Sequence, residues 1–163
     1  MRTHRIVIVN TSPLFYLHRA GCLDCLEKLY GEVVVPESVA FELEEGRKVG
    51  EDVPKIADCH WIKVKRVTIP AFIKIISDLG QGEAEVLALG CEEKEPLLII
   101  DDSLARRIAK LQAFKFTGTA GVLLKAKKAG HIAEVKPLIE KLREAGFYLA
   151  DKLIADILKM SGE

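Results

Sequence analysis

Two short apolar segments each end at polar residues that could bind a metal ion. Residues 6–9 lead into Asn10, the only asparagine in the chain, and residues 97–100 lead into Asp101 and Asp102. Short segments of this kind, rich in β-branched residues, are typical of buried parallel strands. If the two strands are neighbours, Asn10 and Asp101 lie side by side at the carboxyl ends, where open α/β sheets bind ligands. The pattern therefore indicates a metal site built from oxygen atoms.

Two glutamates could complete such a site. Glu42 lies on a predicted helix after the second strand, and Glu83 opens the helix that precedes Asp101. Hard cations such as Mg²⁺ bind carboxylate, carbonyl and amide oxygens. A pair of bound metals can activate a water molecule and stabilise both oxygens of an in-line phosphoryl displacement. Converging acids would otherwise repel one another, which is why such clusters usually hold a cation.

Each acidic residue also has an ordinary structural interpretation. Asp101 or Asp102 can cap the helix that begins near residue 103. Glu83 and Glu85 can complement the positive end of a helix dipole. Glu42 can be one more exposed acid on a helix. Asn10 can be a turn residue near a proline. Spacing alone leaves both interpretations open.

Apolar periodicity predicts strands and helices that alternate along the chain. Alternation of this kind implies right-handed crossovers and a parallel sheet with helices on both faces. The predicted strands are 5–9, 32–35, 61–65, 97–100 and 114–116. The predicted helices are 14–29 with a break near Gly21, 37–45, 53–59, 71–79, 83–91, 103–111, 120–129, 134–145 and 151–160.

Length and composition predict one soluble domain. The 163 residues are 49% hydrophobic and 29% charged, with a net charge of zero. No apolar stretch approaches the roughly 20 residues that span a bilayer. The basic start of the chain is followed by only four apolar residues, too few for a signal peptide. We therefore expect a single domain over 1–163, with C-terminal helices at about 134–160, in the cytoplasm and without a membrane segment.

The amide content is low for a chain with this many charges. One asparagine and two glutamines accompany 48 charged residues. Few amides together with abundant Lys, Glu and Arg are typical of heat-adapted proteins. The composition therefore predicts a thermophilic source.

Two of the four cysteines, Cys22 and Cys25, form a CxxC pair. A structural zinc site would need a second closely spaced pair, which Cys59 and Cys91 do not supply. We expect Cys22 and Cys25 to pack in the core as free thiols.

Basic residues are concentrated in one half of the chain. Residues 103–147 contain ten Lys or Arg residues and three Glu residues. Arg106 and Lys110 recur on one side of a predicted helix, and Lys125 and Lys128 share a face of a later one. Such residues can follow a nucleic-acid backbone, but they fit solvated helix faces equally well.

Five segments in order resemble a known group of proteins. IVNTSPLFYL, VVVPESVAFELEEG, GQGEAEVLALG, PLLIIDDSLARRIA and FTGTAGVLLKAKKAG resemble an uncharacterised, mostly prokaryotic group of the PIN-domain superfamily that is related to the VapC toxins. The resemblance covers about residues 5–160. It implies a three-layer α/β/α sandwich around a mostly parallel sheet of about five strands. It also implies a ribonuclease that depends on Mg²⁺ or Mn²⁺.

The resemblance assigns the site residues one by one. The first acid of the family pattern falls on Asn10, the second on Glu42, a later one on Glu83 with Glu85 as the weaker candidate, and the last on Asp101. Asn10 is a departure, because an amide removes one negative charge. Asp102 could compensate as a further metal ligand. The residues implied to contact nucleic acid are Thr11, Ser12, Arg106, Lys110, Lys125 and Lys128.

Three functions remain open at this point. The first is a metal-dependent endoribonuclease, which could be the toxin half of a toxin–antitoxin pair, with RNA, an antitoxin protein and a second copy of the chain as partners. The second is a catalytically weak module that binds RNA or protein without cutting. The third, a small-molecule phosphotransfer enzyme, lacks a glycine-rich phosphate loop.

Overall fold

A computed structural model describes residues 5–163 and shows a sheet of five short parallel strands. Residues 1–4 of the predicted domain lie outside the described residues. The strand order is β3-β2-β1-β4-β5, and every neighbouring pair runs parallel. The strands are β1 (Val7–Val9), β2 (Val33–Pro36), β3 (Ile62–Lys65), β4 (Leu97–Ile99) and β5 (Lys115–Thr117).

Helices connect the strands and extend the chain beyond the sheet. The described residues form nine α-helices and one 3-10 turn, Ile56–Asp58. The helices are α1 (Thr11–Arg19), α2 (Asp24–Tyr30), α3 (Glu37–Lys48), α4 (Ala71–Lys74), α5 (Gln81–Glu92), α6 (Ser103–Leu111), α7 (Thr119–Lys128), α8 (Lys136–Glu144) and α9 (Asp151–Ser161). None of the described helices is long and apolar enough to cross a membrane.

The helices cover both faces of the sheet. Helix α5 packs against β1, β2 and β4, while α2 and α7 contact each other and pack against β2 and β5 respectively. The central strands β1 and β4 are buried along their whole length, as strands covered on both faces must be. The predicted α/β/α sandwich around five parallel strands is therefore confirmed.

The strand order places a topological switch point between β1 and β4. From β1 the chain moves to β2 on one side, whereas β4 lies on the other side and continues to β5. The backbone N–H of Asn10 donates to the carbonyl of Ile99 at 3.1 Å, so the ends of β1 and β4 are joined. A crevice at such a point is the usual ligand site of an open α/β sheet. Because β1 and β4 are neighbours, Asn10 and Asp101 follow adjacent strand ends, as the sequence predicted.

Several predicted helix bounds were wrong. Helix α3 continues through Gly46 to Lys48, where the ion pairs Arg47–Glu44 and Lys48–Glu45 support its last turn. The predicted helix at 53–59 is only a 3-10 turn, since Pro54 disfavours helical geometry at the residue before it. The predicted helix at 71–79 ends at Lys74; Ile75 beyond it is exposed, and Ile76 and Leu79 pack against the core from outside a helix.

Cys22 and Cys25 are both buried in the hydrophobic core. Burial raises the pKa of the Cys22 thiol to about 12 and also raises the pKa of Cys25. Both thiols are free. They pack in the core, as the sequence predicted.

Candidate functional site

The turn after β1 connects two acidic residues that lie far apart in the sequence. Thr11 Oγ1 donates to Glu42 Oε2 at 2.5 Å, and Ser12 Oγ donates to Asp101 Oδ2 at 2.8 Å. These hydroxyls belong to consecutive residues of the first turn of α1. The segment Asn10–Ser12 therefore lies between Glu42 of α3 and the carboxyl end of β4. Thr11 and Ser12 orient the two carboxylates in this structure.

Asp101 receives two further hydrogen bonds from the start of α7. The backbone N–H of Thr119 donates to Oδ1 at 2.8 Å, and Thr119 Oγ1 donates to Oδ2 at 2.7 Å. Thr119 is fully buried, and a helix N-terminus favours a negative charge. These contacts hold one carboxylate orientation. Thr119 was not among the predicted site residues, although its position after β5, the neighbour of β4, is a signal that could have identified it.

Gly118 allows Asp101 and Arg106 to approach the backbone closely. A Cβ atom at this position would lie 2.7 Å from Asp101 Oδ1 and would overlap the Arg106 guanidinium. Any side chain at residue 118 would therefore displace one or both groups. Close approach, not an unusual backbone angle, requires glycine here, since φ is −126°.

The side chain of Asn10 is buried without a hydrogen-bond partner for its oxygen. Asn10 is 2% exposed, and among residues 5–163 nothing donates to its Oδ1. A Cβ atom added to Gly82, in the first turn of α5, would lie 3.0 Å from Asn10 Oδ1 and 3.7 Å from Glu42 Oε2. Asn10 Oδ1 and Glu42 Oε2 therefore both lie beside Gly82. A buried acceptor without a donor is costly, so this position calls for an explanation.

The two acids of α5 differ in their surroundings. Glu83 folds back over Gly80, the residue that precedes the helix, as the glutamate of a capping box does. Glu85 is buried, at 7% exposure, and accepts a hydrogen bond from Gln81 Nε2 at 3.0 Å. Glu85 also lies three residues from Gly82, on the helix face that meets Asn10. The weaker candidate of the sequence analysis is therefore the buried acid of this helix.

Asp102 caps helix α6. Its Oδ2 accepts a hydrogen bond from the backbone N–H of Ala105 at 2.9 Å, and the side chain is exposed. This is the structural alternative stated for Asp102 above. Because its carboxylate contacts the helix backbone, the structure does not bring Asp102 to the predicted metal site.

Of the predicted phosphate-binding residues, Arg106 lies nearest to Asp101. Its Nε donates to the carbonyl of Ile100 at 2.9 Å, and its guanidinium lies 5.5 Å from the centre of the Phe116 ring. Arg106 Nη2 and Asp101 Oδ1 both lie close to Gly118. Lys110 is exposed one turn further along the same helix.

The structure does not bring Lys125 and Lys128 to this site. Helix α7 begins at the site with Thr119, and Lys125 lies six residues later, roughly 9 Å along the axis. Lys125 Nζ contacts the ring of Tyr30 at 4.6 Å, and Lys128 ends the helix. Lys125 and Lys128 share a face of α7, but they lie in its last turn, at the end away from the site.

A family model described as a PIN domain matches residues 6–163 of the chain. The chain belongs to the PIN-domain family. No curated protein matches it. The fold, with its five parallel strands between layers of helices, agrees with this membership.

A divalent cation needs several oxygen ligands, and this PIN domain offers an incomplete set of them. Across residues 5–163, no three His, Cys, Asp or Glu side chains are arranged to hold a metal ion. Asp101 accepts hydrogen bonds from Ser12 and from the backbone and hydroxyl of Thr119, whereas Glu42 accepts one from Thr11. The unpartnered oxygen of Asn10, facing Glu42, nevertheless fits a hard cation, since such ions bind amide and carboxylate oxygens.

Proposed function

We propose that this PIN domain is a ribonuclease that depends on Mg²⁺ or Mn²⁺. The observation that carries the proposal is the buried, unpartnered Oδ1 of Asn10, which faces Glu42 at the switch point between β1 and β4. A cation would supply the partner that this oxygen lacks. The residues proposed to hold it are Asn10, Glu42 and Asp101, with Glu85 or Glu83 from α5.

A divalent metal bound there would supply a water molecule activated for attack and neutralise charge that develops on the phosphate. The chain's own residues orient the site. Thr11 and Ser12 hold the carboxylates of Glu42 and Asp101, and Thr119 donates to both oxygens of Asp101. Preorganised donors of this kind keep the carboxylates in place without reorganisation during the reaction.

Arg106 is the proposed contact to the RNA backbone. Its guanidinium lies beside Asp101, and its Nε is already fixed by the carbonyl of Ile100. A restrained guanidinium binds phosphate with little further loss of side-chain freedom. Lys110, exposed on the same helix, extends this positive surface.

Two observations favour a second function. In the described part of the chain, no cluster of three acidic or other metal-binding side chains is present, and the first acid of the family pattern is an amide. A PIN domain with such a site could bind RNA or a partner protein without cutting. A module that binds RNA differs from the ribonuclease in cleavage, and a module that binds a protein differs in RNA binding as well.

Cleavage of a mixed single-stranded RNA in the presence of Mn²⁺ tests the proposal. Wild type is compared with Asp101→Asn and with wild type in EDTA, and Asp102→Asn is the matched control because its carboxylate caps α6. We expect cleavage by wild type and Asp102→Asn, and none by Asp101→Asn or in EDTA. RNA binding without any cleavage by wild type would favour the second function.

The resemblance to VapC toxins extends the proposal to a toxin that forms a homodimer and is neutralised by an antitoxin protein. Expression of wild type should then arrest growth, whereas Asp101→Asn should not. Normal growth during expression of an active enzyme would contradict the toxin role and leave the ribonuclease proposal standing.

A further inference from the structure

A cavity of about 440 Å³ opens beside the acidic site, between α7, α9 and the end of β5. Asp101 lies in its wall, so the cavity is continuous with the proposed site. Arg106 and Gly118 form the rest of that polar end. The remaining walls are mostly apolar and include Phe116, Leu124, Phe147, Leu149, Leu153 and Ile157. Its volume is within the range of ordinary small-ligand pockets.

Large apolar side chains are exposed where the cavity opens. Tyr148, Leu153 and Met160 all line it and are all exposed, with Tyr148 at 87%. Tyr148 stacks on no other ring in the described residues. Single exposed apolar residues are normal, but several at one opening indicate a binding surface.

Arg106 carries hydrogen-bond donors at the polar end of the cavity. Within residues 5–163 its guanidinium forms no ion pair, although Asp101 lies beside it across Gly118. The bond from Nε to Ile100 fixes the side chain and leaves the terminal nitrogens for a ligand. These nitrogens match an anionic or hydrogen-bonding group.

We propose that this cavity binds one nucleobase of a single-stranded RNA, with Tyr148 stacked on the base and Arg106 on the adjacent phosphate. The proposal rests on the ribonuclease function above, because Asp101 belongs to both the cavity and the acidic site. A base has flat apolar faces and a polar edge, and stacking on aromatic side chains is how proteins usually hold single-stranded bases.

The chemistry of the cavity favours a nucleotide over an apolar peptide. A peptide side chain would fill the apolar walls but leave the terminal nitrogens of Arg106, at the inner end, without a polar partner. Buried polar groups without partners are unfavourable. A nucleotide supplies the apolar face, the polar base edge and the phosphate together.

The test compares two labelled oligonucleotides by fluorescence anisotropy. One is a short single-stranded RNA, and the other has the same backbone with every base replaced by an abasic site. Binding is measured in EDTA, which prevents metal-dependent cleavage, and again in Ca²⁺. We expect removal of the bases to weaken binding to wild type by about tenfold, which is in the range for one stacked base.

Variants of the cavity should remove this preference for bases. Tyr148→Ala is expected to bind the two oligonucleotides with similar affinity, while its affinity for the abasic one stays that of wild type. Leu153→Asp is expected to lose the preference as well and to bind both more weakly, because the added charge repels the phosphates. Leu111→Ala is the matched control, because Leu111 is 83% exposed and lies outside the cavity. It should keep the tenfold preference.

Each other outcome overturns the inference in a distinct way. Equal affinity of wild type for both oligonucleotides would overturn it and leave the ribonuclease proposal standing, because backbone contacts would then suffice. A base preference that persists in Tyr148→Ala and Leu153→Asp would place the base elsewhere. Absence of both RNA binding and RNA cleavage would overturn the two proposals together. An apolar peptide that occupies the cavity without displacing RNA would assign it to a protein partner.

Discussion

Ser12 Oγ lies 2.8 Å from Asp101 Oδ2, although 89 residues separate the two in the sequence. Asp101 Oδ2 also accepts the hydroxyl of Thr119, so two hydroxyl groups meet on one carboxylate oxygen. The contacts join the start of α1, the end of β4 and the start of α7. The carboxylate is thereby the point at which three elements of the fold are held together.

Removal of either hydroxyl should weaken both stability and cleavage. Ser12→Ala and Thr119→Val each delete one donor to Asp101, and a hydrogen bond to a charged group contributes about 1.5–3 kcal/mol. We expect a loss of that order in the free energy of unfolding for the buried Thr119, with a smaller loss for Ser12. Urea denaturation measures the stability and the RNA assay measures cleavage.

Two control variants complete this comparison. Thr119→Ser keeps the hydroxyl and should restore most of the cleavage lost in Thr119→Val. Ser103→Ala alters an exposed residue for which the structure shows no side-chain hydrogen bond, and it should behave as wild type. Wild-type cleavage in Thr119→Val would show that Asp101 does not need this donor.

Gly118→Ala should damage the site more than it damages the fold. The added Cβ atom would overlap Arg106 and lie 2.7 Å from Asp101 Oδ1. Overpacking of this kind costs about 1–3 kcal/mol, and here the groups that must move belong to the site. We expect reduced RNA binding and cleavage, together with a lower melting temperature.

Gly46→Ala is the matched control for that variant. Gly46 lies inside α3, and an added Cβ atom there would meet only the end of the flexible Glu51 side chain. Alanine stabilises a helix interior by about 0.5–1 kcal/mol relative to glycine, so stability should rise slightly with unchanged cleavage. If Gly118→Ala behaved like Gly46→Ala, the close approach at Gly118 would be irrelevant to the site.

The stability of the domain should depend on the ionisation of Glu163. Its carboxylate accepts the backbone N–H groups of Val135 and Lys136 at 2.8 and 3.0 Å, at the start of α8. These bonds, with Lys127 and Ser161, lower the pKa of Glu163 to about 2.

The sign of the pH dependence follows from that pKa. Between about pH 4.5 and pH 2 the unfolded chain binds a proton at Glu163 while the folded chain does not, so folding stability falls as the pH falls. We expect wild type to lose more stability than Glu163→Gln over this range, as measured by denaturation at each pH. Glu140→Gln, an exposed residue of α8, is the control. Parallel curves for wild type and Glu163→Gln would contradict the prediction.

The fold could be predicted from the sequence because a local pattern of apolar residues identifies its central strands. The β-branched segments before Asn10 and Asp101 are buried on both faces, so they read as continuous apolar runs that end where the polar site begins. Helix α6 was predicted with its observed bounds, since Asp102 caps it and apolar residues recur on one face.

The site could be predicted only in part, because side-chain direction depends on tertiary contacts. Helix α5 begins two residues earlier than predicted, and this shift makes Glu83 a residue that folds back over Gly80 while Glu85 is buried. Thr119 contacts Asp101 across two neighbouring strands, which no local pattern encodes. Periodicity identified the shared face of Lys125 and Lys128 but not the end of α7 on which they lie.

The central claim is that the oxygen of Asn10 binds a divalent metal, and a thermal-shift titration with Mn²⁺ tests it most directly. A cation that binds only the folded chain raises the melting temperature with concentration. We predict a rise for wild type, a larger rise for Asn10→Asp, which adds a negative charge, and none for Asn10→Leu, which removes the oxygen. Asp102→Asn should follow wild type. Equal shifts in wild type, Asn10→Asp and Asn10→Leu, or no shift in any of them, would contradict the claim.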